Sequence, residues 1–150
     1  MTAVHIALAV AVLATSLAAG AWGAWAWSRA EPAPGFWPLL RASQVLLGLQ
    51  VAIGAVLVVL GNEPARLHVL YGLLPLGVSF VAEQLRLVSA DQVLQKRGMD
   101  SAREMEGLGE DEQRAIVLDI VRRETGVMAA ASLVVFFLAL RASGVAGFIG

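Results

Sequence analysis

The chain contains two histidines, His5 and His68, and each stands in the first turn of a long apolar segment. Ionisable groups inside such segments are costly to hold in a bilayer, which makes them functional candidates by default. Neutral imidazole is a good iron ligand. Two rings at one depth would fill both axial positions of a haem iron, leaving no position for oxygen or substrate and favouring electron transfer. The chain has no cysteine. That excludes disulfides, thiolate-held iron–sulfur clusters and covalently attached c-type haem, so any redox centre is held noncovalently.

The elements that must position these rings are long and apolar. Of 150 residues, 58% are hydrophobic, and mean hydropathy is +0.73. The apolar residues fall in four blocks, at about 3–27, 39–61, 67–88 and 126–147, too long and too uncharged for a soluble core of this size. Each of the first three is long enough to cross a hydrocarbon layer of about 30 Å at about 1.5 Å per residue. The fourth is marginal over 126–140 and borrows length from the residues after it. The N-terminus has no basic region and its apolar run exceeds a signal-peptide core, so it reads as the first span. The expectation is an all-α integral membrane four-helix bundle, a single domain over residues 1–150.

Charge sets the expected orientation. Arg29, Arg41, Arg86, Lys96, Arg97, Arg103, Arg114, Arg122 and Arg123 fall to one side, and only Arg66 and Arg141 to the other. The positive-inside rule then puts both termini outside and segment 89–125 in the cytoplasm, in a multi-pass protein of the cytoplasmic (inner) membrane. Trp22, Trp25, Trp27 and Trp37 gather at the inner interface as an aromatic belt. His5 and His68 consequently share the outer face. Arg66 and Arg141 stand there too, where guanidinium groups would pair with haem propionates; the alternative for both is boundary anchoring. Gly72, one turn below His68, removes bulk where a flat macrocycle would lie, and close helix contact would explain it equally.

Other features concern packing. Ala7, Ala11, Ala14, Ala18 and Ala21 alternate at spacings of four and three, which predicts a helix-packing seam on the first span. Gln44 and Gln50 lie in apolar sequence and call for interhelical partners. Pro75 should kink the third span, and Glu83 pairs with Arg86 at i, i+3. Segment 99–109 lacks apolar periodicity and is expected to be mobile. Glu110, Asp111 and Glu112 then open a helix that runs through Thr125 and Gly126 into the fourth span.

The run from Gln44 to Gly54, with its glutamines and glycines, followed by an outer turn and by Leu67-His68 with Gly72 beyond, resembles the third and fourth helices of one half of haem A synthase. The first span, led by His5, is similar to the second helix of that half; the likeness covers roughly residues 3–90. In that family each half is a four-helix bundle in which outer histidines of the second and fourth helices ligate a haem. The resemblance therefore implies haem binding by His5 and His68. In place of the acid and arginine that the family carries beside its first histidine, this chain has Val4 and Ile6. No catalytic acid accompanies either ring, so the resemblance implies haem binding more than haem hydroxylation.

The sequence has no phosphate-binding glycine loop, no His-Glu-x-x-His metal motif and no nucleophile with a neighbouring base. Nothing points to nucleic acid. Three readings are carried forward. The first is a small b-type haem protein for electron transfer or respiratory-complex assembly, ligated by His5 and His68, with Gly72, Arg66 and Arg141 at the site. The second is a cofactor-free accessory subunit of a larger membrane complex. The third is a half-length haem-modifying oxidoreductase acting as a homodimer.

Overall fold

The computed structural model describes residues 2–145 and is helical throughout its regular structure. Helix α1 spans Thr2–Arg29, α2 Phe36–Val59, α3 Arg66–Leu87, α4 Ser89–Lys96 and α5 Glu110–Val145, with a 3-10 helix at Ala102–Gly107 before α5. Among the described residues, four helices are long and apolar enough to cross a membrane: α1, α2, α3 with its α4 extension, and α5. Large apolar side chains such as Val45, Val59, Phe80 and Phe137 are more than 60% exposed, an outer surface suited to lipid and not to water. The fourth span, expected at 126–147, is described only to residue 145.

Each helix ends for a local reason. After α1 the backbone turns left-handed at Ala30 (φ 54°), the Glu31 N–H reaches back to the Ala26 carbonyl, and Pro32 and Pro34 prevent continuation. After α2, Gly61 takes a φ of 92°, which a side chain would strain, and both Asn62 nitrogens donate to the Leu57 carbonyl. Helix α3 runs on through Pro75, whose ring is buried.

The helices surround the core in an antiparallel ring. Helix α5 packs along both α1 and α3, α2 packs along α1, and α2 meets α3 over a shorter seam. Helices α1 and α3 thus lie on opposite sides of the bundle. Val12, Leu47 and Val135 form one apolar layer, and Ala19, Ala26, Phe36, Leu40, Ala82 and Met128 form the next toward the tryptophan end.

The packing face of α1 differs from the alanine stripe expected of it. Ala7, Ala14, Ala18 and Ala21 are exposed, whereas Val12, Ser16, Ala19, Gly20, Gly23 and Ala26 are buried. The same four-and-three spacing is used, displaced around the helix. Glycine decides the matter, because a Cβ at Gly20 would stand 2.6 Å from Leu133 and one at Gly23 2.6 Å from the Phe36 ring. Only that stripe admits α5 and Phe36 at such close range.

Segment 99–109, expected to be mobile, forms a capped turn on a small core. The Glu104 carboxylate accepts the N–H groups of Asp100 and Ser101. Met99 joins Val93, Leu94 and the fully buried Ile116, with Met105, Leu108 and Ile120 packed around them. The apolar residues are too sparse to show a period, yet they suffice to fold the segment onto α4 and the start of α5. Helix α5 is continuous for 36 residues, as the reading through Thr125 and Gly126 anticipated, and extends about 54 Å.

Candidate functional site

His5 and His68 meet. They come from opposite sides of the bundle, and their ring centroids lie 6.2 Å apart at an interplanar angle of 62°. Both rings are half-buried at the end formed by the starts of α1 and α3 and the ends of α2 and α5.

Each ring is steadied by a second group. His68 Nδ1 lies 3.1 Å from the Ala142 carbonyl of α5. A carbonyl only accepts, so Nδ1 carries a proton, and in the neutral ring Nε2 then keeps its lone pair, the tautomer in which a histidine ligates iron while its other nitrogen is held by the backbone. His5 Nε2 lies 3.2 Å from the Gln50 amide of α2. With the amide nitrogen toward it Nε2 accepts and Nδ1 carries the ring proton, whereas with the amide turned over Oε1 accepts from the Nε2 N–H and Nδ1 keeps the lone pair that a ligand needs; among the described residues Nδ1 is buried without a hydrogen-bond partner. Gln50 Oε1 is likewise buried without a partner among the described residues. The two atoms are linked, since turning the amide over pairs Oε1 with the His5 Nε2 N–H and leaves Nδ1 as the one free atom. Gly54 makes room for the His5 ring, since a Cβ there would lie 3.2 Å from its Cε1.

The other expected residues sit at the same end. Arg141 stacks its guanidinium over Tyr71 at 5.8 Å, and Arg66 is exposed at the first residue of α3. Neither forms a salt bridge among the described residues. A Cβ on Gly72 would meet nothing within 4 Å, so helix contact does not account for this glycine. No group of three potential metal-ligating side chains occurs among the described residues.

A second polar cluster lies at the opposite, tryptophan-bearing end. Glu83 of α3 accepts from Arg41 at 2.5 Å, Gln44 at 2.8 Å and Arg86 at 3.1 Å. Arg86 also approaches Glu124 of α5 at 3.9 Å and lies over the Trp37 ring at 5.6 Å. The Glu83–Arg86 pair was legible from its spacing. The reach of Glu83 to Arg41 and Gln44 was not, nor that of Gln50 to His5, because the partners are 42, 39 and 45 residues apart. The one available signal was two amides in apolar sequence, and both have found interhelical partners. No family model, curated protein or solved structure matches the chain.

Proposed function

We propose that this chain is a small membrane protein that holds one b-type haem between His5 and His68 and serves electron transfer or the assembly of a respiratory complex. The observation that carries the reading is the meeting of the only two imidazoles in the sequence, brought from opposite sides of the bundle to 6.2 Å, each with one nitrogen held and one left for a ligand. This donor set suits a group that needs two axial nitrogens and no third protein ligand, which a tetrahedral zinc site does not. Bound there, a haem would supply a one-electron couple with no open coordination position.

The chain's own contributions follow from chemistry. The Ala142 carbonyl fixes the His68 tautomer, and Gln50 restrains the His5 ring. Gly54 makes room for the His5 ring, and the open space at Gly72, one turn below His68, is where a macrocycle would lie. Arg66 and Arg141 offer charge to propionates at the membrane boundary. In this reading the histidine end faces outward and the nine-cation end faces the cytoplasm, across the cytoplasmic membrane.

The test is an absorption spectrum of the full chain purified from a haem-producing host. A reduced b-type band is expected, lost from His68→Ala and lost or strongly weakened in His5→Ala; a colourless protein, or a band surviving in both variants, refutes the reading.

The competing reading is a cofactor-free accessory subunit. It is favoured by the separate small core of Met99, Val93, Leu94 and Ile116, which folds segment 99–109 onto α4 and the start of α5 as a compact unit beside the bundle. A colourless preparation that copurifies with one stable partner supports it.

A further inference from the structure

Helix α5 passes from charged to apolar sequence at Thr125, and two cations stand side by side just before the crossing. Arg122 and Arg123 lie four and three residues before Gly126, so they flank the head of one helix face. Gly126, Ala130, Val134 and Phe137 continue that face at spacings of four, four and three. Ala130, Val134 and Phe137 are exposed, so no other described helix covers them. Phe137 stands about 16 Å beyond Gly126, close to half the thickness of a hydrocarbon layer. The face therefore runs from headgroup level to the bilayer centre within one leaflet.

Both guanidinium groups at its head are held in place. Arg122 donates from Nε to the Trp27 carbonyl of α1 at 3.3 Å and lies over the Trp27 ring at 6.0 Å. Arg123 donates to the Gln92 side chain of α4. These partners are neutral, and neither arginine forms a salt bridge among the described residues. The acids nearest in sequence are engaged elsewhere, Asp119 with Arg97 at 2.5 Å and Glu124 with Arg86 at 3.9 Å. Glu31 and Asp91 are exposed and pair with neither cation. Two positive charges thus stand uncompensated, each with N–H groups still to give. Trp27 Nε1 lies 2.7 Å from where a Gly126 Cβ would stand, so the glycine lets an indole N–H edge rest on the same face.

This combination selects a partner by its chemistry. Guanidinium groups match phosphate oxygens, and groups already ordered lose little freedom on binding. The apolar face that continues from them suits an acyl chain and gives nothing to a water-soluble anion. We propose that this face of α5 holds one acidic phospholipid of the leaflet at the tryptophan end, its phosphate between Arg122 and Arg123 and an acyl chain along Gly126, Ala130, Val134 and Phe137. The site is separate from the histidine pair, which lies at the other end of the bundle.

The test offers the full chain, haem-free in a mild detergent, equal amounts of phosphatidylglycerol and phosphatidylcholine and counts retained lipid by native mass spectrometry. One phosphatidylglycerol per chain is expected, retained at least about tenfold in preference to phosphatidylcholine, from the attraction of two cations at the membrane surface. Arg122→Gln/Arg123→Gln should abolish the preference. Arg29→Gln, which removes a cation stacked on Trp25 instead, should keep it. Should the double variant fail to fold, the two single variants decide, each expected to lose at least about threefold. A preference that survives in the folded double variant, or in both single variants, overturns the proposal. So does one that falls as far in Arg29→Gln, which would mean diffuse attraction to the charged end. Displacement of the lipid by glycerol phosphate would mark a free-phosphate site and also overturn it. No haem enters the measurement, so this result and that of the histidine pair are read separately.

Discussion

The two ends of the bundle both set polar side chains into apolar helices, and they complete them differently. At the tryptophan end Glu83 is met by Arg41, Gln44 and Arg86, and Arg86 turns on to Glu124. At the histidine end one nitrogen of His5 and the oxygen of Gln50 are buried without a partner among the described residues. The ionised groups of the first end cost more to desolvate than the neutral imidazole and amide of the second, and the chain itself offsets that larger cost with opposite charges and hydrogen bonds. A closed network serves helix association, whereas an open one leaves atoms free, which on the proposed reading a ligand would engage. The contrast separates polar groups that hold α2, α3 and α5 together from those that the proposed function assigns to a ligand.

Substitutions at each end should therefore have different readouts. The largest effect on folding is expected at Gly23→Leu, where the new side chain runs into Phe36 and Ala129; overpacking of this kind costs about 3 kcal/mol, read from unfolding in mixed detergent micelles. Gln50→Leu, at the open end, should leave stability nearly unchanged and weaken haem retention by about 10- to 100-fold, the usual consequence of removing a group that orients a metal ligand. A loss of stability without a change in haem binding would erase the distinction between the ends. Glu83→Gln should do the reverse, lowering stability by about 1 kcal/mol, since the pairs are partly exposed, while the haem band stays in place. Smallest is Arg141→Ala, which removes the cation over Tyr71 and should reduce haem retention by about two- to fivefold at low salt, less at high salt.

Much of this fold could be read without coordinates, because four uninterrupted apolar runs leave few alternatives to helices. The shared end of His5 and His68 was legible from the alternating direction of antiparallel spans. Helix α1 was harder, since small and apolar residues cover all its faces. Its true seam through Ser16, Gly20 and Gly23 is selected by what α5 and Phe36 bring to it. Local spacing could not choose between that stripe and the alanines beside it. The partners of Gln50 and Glu83 are distant in sequence, so their amide and carboxylate announced a need for partners and not which ones. Segment 99–109 misled for the opposite reason: Met99, Met105 and Leu108 are too few to form a pattern, but each finds Ile116 or its neighbours.

The central claim is that two imidazoles share one iron, and it is tested most directly by electron paramagnetic resonance of the oxidised, purified chain. The account predicts one low-spin ferric haem per chain with bis-imidazole character, gone or converted to high spin in both His5→Ala and His68→Ala. A preparation without haem, or a low-spin signal unchanged in either variant, would contradict it.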